Sequence, residues 1–156
     1  MNITSAAFHD GKSIPTKYAY HGVEGGKNIS VPFSWNSVPG NAKSLALSIV
    51  DPHPVAKYWV HWFVVNIPVD SSGLVEGASL KSMPIGSKEL LNTYGTLGYG
   101  GPEPPKGSGA HPYVCTLFAL NVEKIELKEK TSLAEFDAAL LGKIIATAKI
   151  TGMYER

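Results

Sequence analysis

Trp59-Val60-His61-Trp62-Phe63-Val64-Val65-Asn66-Ile67 is the stretch on which the fold turns. Aromatic and β-branched residues dominate it, the composition of a strand rather than a helix. A period of two puts Trp59, His61, Phe63 and Val65 on one face and Val60, Trp62 and Val64 on the other. Both faces therefore need cover, which places the segment in the middle of a packed sheet. Outward from it, 16 Gly and 11 Pro punctuate a series of short apolar runs, as in a sandwich or barrel. Strands are expected near Lys17–His21, Ile29–Trp35, Ser44–Val50, Tyr113–Leu120, Lys124–Leu127 and Lys143–Tyr154. One helix is expected over Ser132–Leu141. Ser132-Leu133-Ala134-Glu135 has the form of a capping box, Leu133, Phe136, Leu140 and Leu141 share a stripe, and Gly142 can close the end.

Composition narrows the classes of function. A chain of 156 residues has the size of one domain, so 1–156 reads as a single unit. A net charge of +1 carries no electrostatic footprint for nucleic acid, and Lys124 to Lys130 interleaves Glu126 and Glu129. The apolar run from Tyr58 to Val65 is too short to span a bilayer, so no stable membrane insertion is expected. The first residues show neither the charged nor the apolar region of a signal peptide, and the cytoplasm is the expected compartment. The single cysteine, Cys115, allows no internal disulfide and reads as a small core residue between Val114 and Leu117.

Three places could carry chemistry. Asp51-Pro52-His53-Pro54 follows an apolar strand, and its prolines hold the acid at a rigid strand end. One of the bonds before Pro52, Pro54, Pro102, Pro104 or Pro105 is expected to be cis, with His53–Pro54 foremost. His61 sits on a doubly apolar strand, where an imidazole must find a partner or face a cavity. Gly86 to Gly109 holds seven Gly and three Pro, and it overlaps the stretch Gly98-Tyr99-Gly100-Gly101-Pro102-Glu103-Pro104-Pro105-Lys106-Gly107-Ser108-Gly109-Ala110-His111-Pro112-Tyr113. Glycines let backbone N–H groups approach a ligand, and His111 and Tyr113 share a strand face. Such a convergence suits a phosphate or carboxylate.

The order Asp51-Pro52, then His61-Trp62 with Asn66-Ile67-Pro68, then Gly-x-x-Pro-Pro-x-Gly-x-Gly-x-His-x-Tyr ending at Tyr113, resembles the phosphatidylethanolamine-binding protein family. The likeness extends to Asp10-Gly11, Ile14-Pro15, Asn28-Ile29-Ser30 and Trp35, and to Gly142 and Gly152-x-Tyr154. Its length is that of the bacterial and archaeal Raf-kinase-inhibitor-like subgroup. The resemblance implies a β-sandwich of two antiparallel sheets with Greek-key connections and one or two short peripheral helices. It implies a non-enzymatic binding protein without cofactor, whose pocket takes phosphate or a phospholipid head group such as phosphorylethanolamine. The residues implicated are Asp51, His61, His111 and Tyr113, with Trp59, Gly101, Pro104 and Pro105 around them. A kinase or a peptidase is the protein partner such a family member would modulate, as a monomer or a homodimer. His53 and the shortened Asp51–Pro54 segment, Pro112 between the histidine and tyrosine, and Val31 depart from the family pattern.

Two other readings stay open at this point. Asp51, His53, His61 and His111 are side chains that suit a divalent ion in a metal-dependent enzyme, although no two are spaced as ligands on one strand. A pure protein-interaction module, such as a peptidase inhibitor, could use residues 98–109 as a rigid surface. An acyl-transfer enzyme would need a nucleophile beside a base. Cys115 lies four residues from His111, roughly 13 Å along a strand, though Cys115 with His61 across strands is possible. Ser108 lacks the strand–turn–helix setting of a nucleophile elbow.

Overall fold

The computed structural model describes residues 1–156. In chain order the strands are β1 (Asn2–Thr4), β2 (Phe33–Asn36), β3 (Ser44–Asp51), β4 (Trp59–Ile67), β5 (Gly73–Leu74), β6 (Lys88–Glu89), β7 (His111–Leu120) and β8 (Ile144–Tyr154). The one α-helix, α1 (Leu133–Leu140), precedes β8. Five strands form an antiparallel sheet in the order β6-β4-β3-β7-β8, and β1-β2-β5 form a smaller antiparallel one. The doubly apolar β4 lies inside the large sheet, and each face meets its own core. Phe33 and Trp35 of the small sheet pack with Leu47, Trp62, Val64 and Leu117. On the opposite face Val60, Phe63 and Val65 pack with Phe136 and Leu140 of α1. The rings of Phe63 and Phe136 stack 4.2 Å apart. The protein is thus mainly β with two antiparallel sheets.

The helix closes as its sequence dictates. Ser132 Oγ accepts from the Glu135 amide while the Glu135 carboxylate accepts from the Ser132 amide, a reciprocal capping box. Replacing Ser132 by Ala should lower stability by about 1 kcal/mol. A shifted urea midpoint at unchanged slope is the expected reading.

Several segments differ from their sequence expectation, each for a local reason. Lys17–His21 is not a strand; Thr16–Tyr18 forms a 3₁₀ turn, with the Tyr18 amide donating to Pro15 O. Lys124–Leu127 forms no ladder because the Asn66 side chain takes both backbone groups of Ile125, at 2.7 and 3.1 Å. Within Ile29–Trp35 only the part after Pro32 pairs as strand, in β2. No peptide bond is cis, at His53–Pro54 or elsewhere. The reversal after β3 is built from hydrogen bonds instead. Asp51 Oδ1 accepts from the His53 amide, and the His53 carbonyl accepts from Ala56 and Lys57. Lys57 and Tyr58, at φ 52 and 60°, complete it in the left-handed region that non-glycine residues rarely enter.

Candidate functional site

The site begins with a break in register. β3 and β4 pair Ile49 with Trp62 but Val50 with Val60, so His61 is an extra residue opposite no partner. Such a bulge re-aims a side chain, and here it suspends the period of two read from the sequence. Val60 joins the core under α1 together with Phe63, whereas the His61 ring packs edge-on to Tyr113, centroids 4.9 Å apart. The His61 carbonyl accepts from the Gly100 amide, and its Nδ1 lies 2.6 Å from Gly100 O. Since that acceptor is a carbonyl, Nδ1 carries the hydrogen and the neutral ring keeps Nε2 as an acceptor. Burial pulls the His61 pKa down to about 4, outweighing the pull of Asp51 and of the Gly100 carbonyl in the other direction.

Asp51 ends β3 and His111 opens β7, on neighbouring strands, and both are buried. His111 Nδ1 donates to Asp51 Oδ2 at 2.6 Å. The other carboxylate oxygen accepts from the His53 amide at 2.8 Å. The His53 ring stacks on His111 at 3.8 Å, and its Nδ1 accepts from the Val55 amide. His111 Nε2 lies 2.9 Å from Ser108 Oγ.

Above this pair opens a cavity of about 240 Å³. Asp51, His61, His111 and Tyr113 form its polar part, and Trp59, Tyr94, Pro104 and Pro105 its walls. Burial raises the pKa of Tyr94 and of Tyr113 well above that of a free phenol, so both keep their hydrogens. Tyr94 donates to Gly101 O at 2.9 Å and stacks flat on Tyr20. The buried Trp59 Nε1–H has no acceptor within the protein.

Seven of the eight residues expected at a binding site thus line one cavity: Asp51, Trp59, His61, Pro104, Pro105, His111 and Tyr113. Gly101 does not. Its amide donates to Asn28 Oδ1, and a Cβ there would strike the Tyr18 carbonyl, so it is a packing glycine. Much of the expected anion nest is likewise engaged. The amides of Gly98, Tyr99, Gly100, Gly107 and Ser108 all donate to protein acceptors. Sequence reasoning missed Val55, Ala56, Tyr94 and Glu103 as lining residues. Tyr94 lies inside the irregular segment whose glycines drew attention, but no local pattern says where its ring turns. The Cys115 nucleophile and the metal reading lose their geometry. Cys115 Sγ is engaged only by Tyr113 O, at 3.7 Å, and burial pushes its thiol pKa far up. Asp51 and His111 occupy each other, His61 Nδ1 is held by Gly100 O, and no three His, Cys, Asp or Glu side chains are placed to hold a metal ion.

The sequence model of the phosphatidylethanolamine-binding protein family matches residues 4–155. The chain belongs to that family. A UPF0098 protein of Methanothermobacter thermautotrophicus is 43% identical to it, over 100% of this chain and 99% of that protein. The crystal structure of YbcL from Escherichia coli, described as a new member of the mammalian family, superposes with a TM-score of 0.93. It is 35% identical, over 99% of this chain and 98% of that one. The family member CT736 of Chlamydia trachomatis superposes with a TM-score of 0.84 at 36% identity, over 99% and 97%. A carboxypeptidase Y inhibitor complexed with its cognate proteinase shares the fold alone, at 20% identity and a TM-score of 0.54 over 93% and 76%. No helix of this family member is long and apolar enough to cross a membrane.

Proposed function

We propose that this family member is a non-enzymatic binding protein whose cavity takes a small oxyanion: phosphate, or the phosphoryl group of a head group such as phosphorylethanolamine. The observation that carries the reading is one cavity lined by Asp51, His61, His111 and Tyr113 beside the ring of Trp59, whose buried Nε1–H has no acceptor within the protein. A buried indole N–H without an acceptor is costly, and a ligand oxygen would relieve it. His61 Nε2 supplies an acceptor for a protonated oxygen or an ammonium group, so a ligand bearing both kinds of group fits best. The description of the family as phosphatidylethanolamine-binding and the size of the cavity support the same reading. The engaged amides of Gly98, Gly100, Gly107 and Ser108 shift the donors toward side chains.

Phosphorylethanolamine titrated calorimetrically at pH 7 should bind, and inorganic phosphate more weakly. Tyr113→Phe should weaken the complex roughly fivefold, the loss of one neutral hydrogen bond of about 1 kcal/mol. Unchanged affinity in Tyr113→Phe and in Trp59→Phe would place the ligand elsewhere. His61 also revises the pH dependence expected of an ordinary histidine. With its pKa near 4, it stays neutral through the physiological range and contributes attraction for an anion only in acid.

A further inference from the structure

Ser108 lies 2.6 Å from the Pro105 carbonyl oxygen and 2.9 Å from His111 Nε2. A carbonyl has no hydrogen to give, so the first contact is a hydrogen bond only if the serine hydroxyl donates. A hydroxyl has one hydrogen. Toward His111 it can therefore only accept, and Nε2 must carry a hydrogen of its own. Nδ1, 2.6 Å from the Asp51 carboxylate, carries the other. We infer that Ser108 is a positioning residue of the pocket that holds His111 as a doubly protonated imidazolium. The inference rests on the reading of the cavity as an oxyanion site and deepens it.

Glycine makes the arrangement possible. Gly107 and Gly109 flank Ser108 at φ 77 and 85°, with open space around both, so they serve the backbone turn rather than a contact. The turn closes through the Ser108 amide, which also donates to Pro105 O, and the Gly107 amide is held by Arg156 O. This brings the hydroxyl onto His111 from the loop that supplies the proline wall.

The consequence for a ligand is electrostatic. His111 faces Asp51 from β3, the stacked His53 from the segment after it, Ser108 from the loop, and Tyr154 in register on β8. Asp51 and Glu103 are the carboxylates lining the cavity, and Glu103 has Arg156 at 3.5 Å. His61 is neutral. An uncharged His111 would leave Asp51 unbalanced against an entering anion; the imidazolium balances it. The same three side chains, in the order serine, histidine, aspartate, match the constellation of acyl-transfer enzymes. The proton count separates the two roles. If the hydroxyl donated to Nε2, two oxygens would face each other at 2.6 Å with no hydrogen between them. A histidine already holding both hydrogens is no base.

The test reads the hydrogens directly. Long-range ¹H–¹⁵N spectra of the ligand-free protein at pH 7 should show both ring nitrogens of His111 protonated. Ser108→Thr should keep that pattern. Ser108→Ala should leave a single ring hydrogen and weaken phosphorylethanolamine binding about tenfold, the loss of one charge-assisted interaction. An unprotonated Nε2 in the wild-type protein would overturn the assignment, as would phosphonylation of Ser108 by a fluorophosphonate, which needs His111 as a base. Both hydrogens present but no binding of phosphorylethanolamine would sink the oxyanion reading and leave the role of Ser108 standing.

Discussion

Acidification from pH 6.5 to pH 4 should cost the folded protein roughly 3 kcal/mol through His61 alone, from a pKa of about 4 in the fold against 6.5 in a free imidazole. The sign follows from which state binds the proton. An unfolded chain protonates His61 on falling through 6.5, whereas the folded chain resists until about 4. Across that window the unfolded state holds more protons, so stability falls as pH falls, and it is flat with respect to His61 above and below. The cause is structural: the ring is enclosed between Tyr113 and Tyr94, and its hydrogen-bonding nitrogen already donates to Gly100 O. A second hydrogen would charge a group that has lost its solvent. His61→Asn keeps a donor near the Gly100 carbonyl and removes the titration. Urea midpoints at pH 7, 5.5 and 4.5 should fall less steeply in that variant than in the wild type. Parallel slopes would mean that the His61 ring is already solvated in the fold.

The strand that decides the fold was legible because its chemistry is nearly uniform: seven of its nine residues are buried, and such a run specifies a central position whatever surrounds it. The capping box was legible for the opposite reason, being a purely local exchange between Ser132 and Glu135. The bulge at His61 was not. Period-two reading placed Trp59, His61, Phe63 and Val65 on one face, and only the pairing of β3 against β4 shows that the alternation slips by one there. Lys124–Leu127 misled because its alternation is real but its partner is a side chain, Asn66. At the site, His111 and Tyr113 could be placed together from their spacing on one strand, and the family resemblance brought Asp51 and His61 to them. Gly101 and the supposed nest failed for one reason. Glycine in a sequence signals close approach of backbone without saying to what, and here the approach is to Tyr18 and Asn28 rather than to a ligand.

The largest single effect is expected at Asp51. Its carboxylate accepts at both oxygens, from the His53 amide and from His111 Nδ1, and it is the counter-charge of a fully buried ring. Asp51→Asn preserves shape and one acceptor, but it turns an amide donor against the His111 N–H. Breaking a buried pair by neutralising one partner leaves the other charge uncompensated, at a cost of about 3–5 kcal/mol. That is a large share of the 5–15 kcal/mol that holds a typical domain folded. The damage should travel to the ligand. An imidazolium without its carboxylate either loses a hydrogen or swings toward solvent, and both changes remove the charge that faces the cavity. Phosphorylethanolamine binding should therefore fall with stability even at temperatures where the variant remains folded. A double-mutant cycle with His111→Asn isolates the pair. If the two side chains act through each other, the double variant should be more stable than the sum of the single losses predicts, by at least about 1 kcal/mol. Additive losses, or an Asp51→Asn variant within about 0.5 kcal/mol of wild type, would show that the 2.6 Å contact carries no charge and that the buried ring is an ordinary neutral histidine.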